Sequence, residues 1–242
     1  MVAAGPLRIV LLPGMDGTGD LFSPFVDALS PSLSADIVSY PANRALNYRE
    51  LESLIRSHLP AAPYILLGES FSGPLAIAIA ATQPPHLRGV VLCCTFAQDP
   101  RPALSAIGGT LPTRWAMRWI PPHWLARLAQ PFLLGRFSTR VLLDLLKSAL
   151  RKVSPEVMAA RTREIRQVNV VGKLSSLNMP VLYLGAEQDR IVRPTASRLL
   201  TKHLPNMKLV TIEGPHCLLQ ASPRATAEVI EDFAASLARK TP

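Results

Sequence analysis

The stretch "YILLGESFSGPLAIAIAA", residues 64–81, decides the fold that we predict for this chain. It opens as a short apolar run typical of a buried strand. It closes as a longer apolar run that begins with proline, a residue favoured in the first turn of a helix. Ser70 stands between the two runs, where a tight strand-to-helix turn exposes a side chain at the edge of a sheet. This position predicts a nucleophilic serine; the simpler alternative is a serine that only caps the helix.

The residues around Ser70 fit such a turn because its strained backbone requires small neighbours. Gly68 stands two residues before the serine. Two residues after it the chain has Ser72 instead of the commonest glycine, followed by Gly73. Serine is small enough for this position. The first turn of the following helix would also stabilise negative charge that develops beside the hydroxyl.

Apolar strands alternate with amphipathic helices on both sides of this stretch, whereas from residue 99 to about residue 170 only proline-punctuated helical segments occur. Continuous apolar strands separated by helices predict a mostly parallel sheet with helices on both faces. We therefore predict one α/β core made of residues 1–97 and 171–242, interrupted by a helical insertion at residues 98–170. The predicted strands are residues 7–14, 35–41, 64–70, 87–96, 179–187 and 207–214, and the predicted core helices are residues 18–30, 47–59, 73–83, 195–204 and 223–239.

Composition limits the function classes. The 242 residues, 48% of them hydrophobic, can bury a sizeable core, and no apolar run has the length of a membrane span. The N-terminus lacks a positive segment, so we predict no signal peptide. The three cysteines lack metal-ligand spacing and are expected to be reduced, which predicts a cytoplasmic protein without a metal or cofactor. The net charge of +9 arises mainly in the predicted insertion, but no nucleic-acid-binding module accompanies it.

A serine nucleophile needs a base, and the chain has five histidines. Only His216 directly follows a predicted strand, in "VTIEGPHCLLQ", and so lies where catalytic loops collect at the carboxyl edge of a parallel sheet. The alternative is an ordinary histidine on a surface loop. The other four lie in predicted helices, in a proline-rich loop or in the insertion: His58, His203, His86 and His123.

The base needs an acid to orient it, and Asp189 follows the preceding strand in "LYLGAEQDRIVRP". Its place between Ser70 and His216 fits the chain order serine, acid, histidine. Glu187 and Asp99 are the rival acids, and Asp189 could instead cap its loop or pair with a neighbouring arginine. We predict Asp189 as the orienting carboxylate.

Acyl transfer also needs N–H donors for the oxyanion, and the loop "LLPGMDGTGDLF" after the first strand can supply one. The expected donors are the backbone N–H groups of Met15 and Phe71, the residue after the nucleophile, and Gly14 is expected to line the pocket. The same glycines could suggest a phosphate loop. The Gly-Lys-Ser/Thr signature of that loop is absent from the chain.

The predicted insertion contains all three tryptophans, Trp115, Trp119 and Trp124. They could pack the insertion onto the core, or line an acyl pocket while the adjacent arginines, Arg114 and Arg118, face an acidic partner. Both interpretations stay open at the level of sequence. Anionic lipid is a further candidate partner for this basic segment.

Taken together, "LLPGMDGTG", "GESFSG", "GAEQDRIV" and "GPH" resemble, in this order, the loops of α/β-hydrolases over nearly the whole chain. The resemblance implies a Ser70–His216–Asp189 triad, an oxyanion hole and a helical cap at residues 98–170. Within this family the chain is similar to serine carboxylesterases and to the pimeloyl-carrier-protein methyl esterases, whose cap arginines dock an acidic acyl carrier. The sequence departs from many members of the family at three positions: Pro13, Glu69 and Ser72.

We therefore expect a serine esterase that cleaves carboxylic esters or thioesters with small to medium acyl groups. Acyl transfer, hydrolysis of an ester linked to an acyl carrier, and a ligand receptor without catalysis are the alternatives. Dehalogenases and epoxide hydrolases need a carboxylate where Ser70 stands, so those classes are excluded.

Overall fold

Six parallel strands form one sheet in the order β2-β1-β3-β4-β5-β6. The structure, a computed structural model, describes the backbone of residues 7–100 and 122–239 and, apart from residues 122–126, their side chains. The predicted parallel sheet with helices on both faces is confirmed. The strands are β1 (Leu7–Leu12), β2 (Leu33–Ile37), β3 (Tyr64–Glu69), β4 (Leu87–Cys93), β5 (Val181–Ala186) and β6 (Lys208–Ile212).

Helices fill the connections between these strands. Short 3-10 turns at Asp20–Phe22, Ser70–Ser72, Gly135–Phe137 and Val171–Ser176 supplement them. The α-helices are α1 (Ser23–Ala28), α2 (Tyr48–Arg56), α3 (Gly73–Ala80), α4 (Pro122–Leu133), α5 (Arg140–Lys152), α6 (Pro155–Gln167), α7 (Pro194–His203), α8 (Leu218–Ala221) and α9 (Pro223–Ala238).

Two apolar clusters, one on each face, hold the helices to the sheet. Successive side chains of a strand point to opposite faces. Val10 and Leu12 of β1 accordingly pack with α2, α3 and α7, whereas Ile9 and Leu11 pack with α1 and α9. All six residues of the central strand β3 are buried. Burial of each large apolar side chain stabilises the fold by roughly 1.5–3 kcal/mol, so the sheet gives the loops at its carboxyl edge a rigid base.

Some elements end earlier than their apolar patterns predict. The pattern of β4 continues to residue 96, but the strand ends at Cys93 because Cys94 adopts a left-handed backbone with φ 45°. The predicted helix at residues 18–30 is a 3-10 turn followed by α1, which begins beside Pro24. The hydroxyl of Thr18 accepts the Asp20 N–H at 3.2 Å, as expected of a residue that starts such a turn.

The described part of the connection from β4 to β5 contains α4, α5 and α6. Its two ends lie side by side: the Val170 N–H donates to the Ala97 carbonyl at 2.8 Å, and Gln98 and Asn169 form an antiparallel bridge. Apolar side chains of α5 and α6 pack with Leu134 and Cys217 and against the loop after β1. The boundaries of the cap stay a prediction.

No helix in the described part of the chain is long and apolar enough to cross a bilayer. Two of the tryptophans singled out in the sequence, Trp115 and Trp119, lie outside the described residues. Trp124 lies in α4, but its side chain is likewise outside the described part.

The replacement Gly73→Ala tests how tightly the start of α3 is packed. A Cβ at residue 73 would stand 1.9 Å from Thr95 Oγ1 and 2.6 Å from Thr95 Cβ. Overpacking of this kind costs about 1–3 kcal/mol, and we expect the free energy of unfolding in urea to fall by that amount. Gly172→Ala is the matched control, because its Cβ would meet nothing within 4 Å. Equal stabilities of the two variants would contradict this packing.

Candidate active site

Ser70 lies on the strained turn between β3 and α3. Its φ of 48° is in the left-handed region, which a residue with a side chain rarely adopts. The Thr95 hydroxyl, just after the neighbouring strand β4, donates a hydrogen bond to the Ser70 carbonyl and so stabilises the turn. A Cβ at Gly68 would stand 2.7 Å from the Ser72 carbonyl oxygen, which explains the glycine there. The requirement for small residues inferred from the sequence thus has a direct steric cause.

The structure brings Ser70, His216 and Asp189 into one hydrogen-bonded chain. Ser70 Oγ lies 2.8 Å from His216 Nε2, and His216 Nδ1 lies 3.0 and 2.9 Å from the two carboxylate oxygens of Asp189. The Asp189 carboxylate accepts the Nδ1 proton, which leaves Nε2 free to accept the serine proton. Three residues from three separate loops therefore meet at the carboxyl edge of the sheet.

Asp189 is held in its ionised form. Burial pushes its pKa upward, but the His216 imidazole and the backbone N–H groups of Ile191 and Val192 outweigh burial and keep the pKa of Asp189 below its ordinary value. Both N–H groups donate to Oδ1 at 2.8 Å. A carboxylate fixed in this way can orient the imidazole and stabilise its protonated form.

The rival residues lie elsewhere. His58 contacts the Leu54 carbonyl at 2.8 Å at the end of α2, and His86 and His203 are exposed. Glu187 is also exposed. Within the described residues, the His216 imidazole bonds to Ser70 and Asp189. The side chain of His123 lies outside the described part of the chain.

The loop after β1 approaches the serine through a turn in which the Gly17 N–H donates to the Gly14 carbonyl at 3.0 Å. Because this bond fixes the Gly14 carbonyl, the Met15 N–H of the same peptide group points away from it. That N–H makes no hydrogen bond to any described residue. Phe71, whose side chain is fully buried, is the middle residue of the 3-10 turn Ser70–Ser72 that leads into α3.

Ser72 connects the turn at Ser70 to the loop after β1. Its hydroxyl donates to the Pro13 carbonyl and, since it has only one proton, it accepts the Tyr40 hydroxyl proton at 2.6 Å. The glycine commonest at this position could not make either bond. Pro13 and Ser72, two departures from the usual family pattern, thus contact each other.

Arg161 of α6 is 2% exposed and binds the same loop. Its guanidinium donates to the carbonyls of Met15 at 2.9 Å, Asp16 at 2.6 Å and Pro41 at 3.1 Å. It also lies 5.7 Å from the centre of the Tyr40 ring. Sequence reasoning missed this arginine, because a basic residue in an amphipathic helix normally faces water.

A cavity of about 160 Å³ opens beside Ser70. Gly14 and Met15 line it, and side chains of α4, α5 and α6 form an apolar wall. A larger groove of about 590 Å³ lies between α2 and α3, but it contains none of the three hydrogen-bonded residues. The lining of the smaller cavity comprises Gly14, Met15, Asp16, Leu21, Glu69, Ser70, Ala129, Leu133, Leu146, Leu150, Met158, His216 and Cys217.

One group of described residues has the donor atoms of a metal site, since atoms of Cys94, Asp189 and His216 lie within 4.8 Å of one another. The hydrogen bond that the Cys94 thiol donates to Cys93 and burial both raise the pKa of Cys94, which disfavours the thiolate that a metal needs. Asp189 already occupies Nδ1 of the imidazole. The donor set therefore fits a hydrogen-bonded triad better than a metal centre.

Glu69, directly before Ser70, carries an unusual carboxyl group. Burial raises its pKa from 4.5 to about 7, against the opposing effect of the Gln220 amide, which donates to Oε1 at 3.1 Å. The negative charge of Asp16 raises the pKa further, and His216 lowers it. The folded protein therefore takes up a proton at Glu69 that the unfolded chain would release.

This proton predicts a pH-dependent stability. A folded-state pKa above the unfolded value stabilises the fold below pH 4.5, and the contribution is lost as the pH rises through 7. Urea unfolding of wild type and Glu69→Gln should therefore diverge by about 3 kcal/mol between pH 4.5 and 8, with wild type losing stability. Parallel pH curves for the two proteins would show that the carboxyl group is not buried in this way.

Comparison with known proteins agrees with the fold. A model of the alpha/beta hydrolase family matches residues 9–229. The chain is 21% identical to a poly(3-hydroxyalkanoate) depolymerase of Ectopseudomonas oleovorans, over 93% of this chain and 83% of the relative. It is 24% identical to a pimeloyl-[acyl-carrier protein] methyl ester esterase of Yersinia enterocolitica, over 95% of this chain and 94% of the relative.

Solved structures share the architecture at low identity. An enol-lactonase from Burkholderia xenovorans superposes with a TM-score of 0.82 at 18% identity, covering 97% of this chain and 94% of its own. A thermophilic esterase from Thermogutta terrifontis gives the same score and identity, covering 97% of this chain and 92% of its own. With a family model matched over most of its length, the chain belongs to the α/β-hydrolase family.

Proposed function

We propose that this protein is a serine esterase that hydrolyses carboxylic esters of small to medium acyl groups. The observation that carries the proposal is the chain of hydrogen bonds from Ser70 Oγ through His216 to Asp189 at the mouth of a largely apolar cavity. Membership of a hydrolase family and similarity to an esterase and a depolymerase support it.

In the proposed mechanism Ser70 Oγ attacks the ester carbonyl while His216 Nε2 takes its proton. Asp189 stabilises the imidazolium that forms. The imidazolium then protonates the departing alcohol, and an acyl group remains on Ser70. A water molecule activated by the same nitrogen attacks this acyl-enzyme and restores the serine.

The oxyanion would be held by the backbone N–H groups of Met15 and Phe71. In support, the Met15 N–H has no other partner among the described residues, and Phe71 follows the nucleophile at the start of a helix. Fixed donors of this kind stabilise a developing oxyanion by roughly 3–4 kcal/mol each. Arg161 donates to the carbonyls of Met15 and Asp16 and so fixes the loop that carries the Met15 N–H.

Residues 98–170 are proposed to act as a cap over the site. Leu133, Leu146 and Leu150 from this segment line the cavity, whose volume of about 160 Å³ is below the usual range for drug-sized ligands and favours small substrates. The unpaired cysteines, all buried, support the proposal of a reducing, cytoplasmic compartment.

An ester linked to an acyl carrier is the second candidate substrate. The carrier-protein esterase from Yersinia, which aligns over almost its whole length, favours it. Exposed arginines on α5 and α6, namely Arg140, Arg151 and Arg163, offer a basic surface to an acidic carrier.

The replacement Ser70→Ala tests the proposed function. With p-nitrophenyl esters from acetate to decanoate, we expect kcat/KM to fall at least about a thousandfold, since the nucleophile is lost. Ser148→Ala, on the exposed side of α5, is the control and should match wild type. Turnover by Ser70→Ala at the wild-type rate would refute the mechanism.

An organophosphonate label separates the alternatives. If Ser70 is labelled but no simple ester is hydrolysed, a carrier-linked ester or an acyl acceptor becomes the substrate to assay. If neither occurs, the ligand-receptor alternative is favoured.

The replacement Arg161→Met tests whether this arginine positions the oxyanion loop. We expect kcat to fall by roughly ten- to a hundredfold with little change in KM, because the affected donor acts in the transition state. Affinity for a trifluoromethyl ketone, which forms a tetrahedral adduct, should fall in parallel with kcat/KM. Arg163→Met, exposed on the same helix, is the control.

Arg161→Lys keeps a donor and should recover part of the ketone affinity. If Arg161→Met lowers only the melting temperature and leaves ketone binding intact, the arginine has a structural role alone.

A further inference from the structure

Two buried carboxylates line the cavity beside Ser70, and each has one oxygen that is already bonded. Asp16 and Glu69 are both 5% exposed. Asp16 Oδ2 accepts the N–H and hydroxyl protons of Thr18 at 2.9 and 2.6 Å, and Glu69 Oε1 accepts from the Gln220 amide at 3.1 Å. The other two oxygens, Asp16 Oδ1 and Glu69 Oε2, have no hydrogen-bond donor among the described residues.

These two oxygens converge on one point beside the nucleophile. A Cβ at Gly14 would stand 3.7 Å from Asp16 Oδ1, 3.9 Å from Glu69 Oε2 and 4.0 Å from Ser70 Cβ. Since residue 14 is glycine, that space stays open. A small group of a bound substrate that lies against Gly14 can therefore reach both oxygens while the adjacent carbonyl lies at the serine.

These oxygens favour a ligand that brings a hydrogen-bond donor, because a carboxylate that lines a largely apolar cavity is stabilised by hydrogen bonds. The described lining of the cavity contains no lysine or arginine, and the imidazole of His216 is engaged by Ser70 and Asp189. Arg161 binds the backbone of the Asp16 loop instead of its carboxylate. A bound ligand with a hydrogen-bond donor can therefore bond Asp16 Oδ1 and Glu69 Oε2 without displacing a described side chain.

We propose that Asp16 and Glu69 form a subsite for a hydroxyl group on the α or β carbon of the acyl chain, so that the substrates are hydroxyacyl esters. This inference rests on the proposed esterase function. A hydroxyl donates to a carboxylate and also accepts from a protonated one, so it suits Glu69 in either state. The rest of the wall is apolar, with Leu21, Leu146 and Met158 among its members, which favours a neutral group over an ammonium ion.

The two carboxylates also select against acidic acyl chains. A carboxylate on the substrate would face two acidic side chains in a site without a compensating basic residue among its described lining. Like charges at short range in such a site repel strongly. Half-esters of dicarboxylic acids should therefore be poor substrates when the free acid lies near the reacting carbonyl.

The test compares matched ester pairs by pH-stat titration. For wild type we expect kcat/KM to be about tenfold or more higher for ethyl 3-hydroxybutyrate than for ethyl butyrate, or for ethyl lactate than for ethyl propionate, because a hydrogen bond to a charged group discriminates by about that much. Monoethyl succinate should be slower than ethyl butyrate. The readout is the ratio within a pair, so that a general change in activity cancels.

Two variants locate the subsite. Glu69→Met removes both oxygens at similar length, and Gly14→Ala fills the open point with a methyl group at ordinary contact distance. In both variants kcat/KM for the hydroxy ester should be about the same as kcat/KM for the matched plain ester. Glu69→Gln, which keeps a weaker acceptor, should give an intermediate ratio.

The outcomes separate this subsite from the esterase function. Hydrolysis of the plain esters with ratios near one in wild type overturns the subsite alone, as do ratios that survive both Glu69→Met and Gly14→Ala. Faster hydrolysis of ethyl 3-aminobutyrate than of the hydroxy ester overturns the choice of hydroxyl. If no ester is hydrolysed and a phosphonate does not label Ser70, the esterase function fails and the subsite falls with it.

Discussion

The whole site depends on one strained connection, the left-handed turn at Ser70. The neighbouring strand ends in the same way, since Cys94 after β4 is also left-handed. This second turn places Thr95 against the first, and the Thr95 hydroxyl binds the Ser70 carbonyl. The turns that follow β3 and β4 therefore stabilise each other. A conformation that would cost about 1–3 kcal/mol in isolation persists because the surrounding sheet is rigid.

A polar network extends from this turn to the helices between β4 and β5. Ser72 binds the loop after β1, Tyr40 binds Ser72, and Arg161 covers the Tyr40 ring while it holds the same loop. The contacts use backbone carbonyls, whose positions are fixed by the fold. One polar network thus links the proposed cap to the turn that carries Ser70, and a displacement of α6 would also move the Met15 peptide.

The sheet and the three hydrogen-bonded residues could be predicted from sequence because they depend on local patterns. Apolar strands end at loops, and loops after parallel strands meet at one edge, which brought Asp189 and His216 to Ser70. Arg161 could not be predicted in this way, because its partners lie about 120 to 146 residues away in sequence. The free oxygen of Glu69 is likewise invisible until packing shows which of its two oxygens Gln220 occupies. The predicted end of β4 was wrong for a local reason. The apolar pattern continues past Cys93 and does not reveal the left-handed backbone of Cys94 that ends the strand.

The bridge between Gln98 and Asn169, with the bond from Val170 to Ala97 beside it, closes the long segment into a loop whose ends meet at one place on the core. The sheet constrains only the two ends of this segment, which connect β4 to β5. Because closing a longer loop adds little entropic cost, the segment can change in length or sequence while the sheet stays the same. The leucines of this segment that line the cavity can therefore diverge without altering the sheet, whereas Arg161 in the same segment remains tied to the loop after β1.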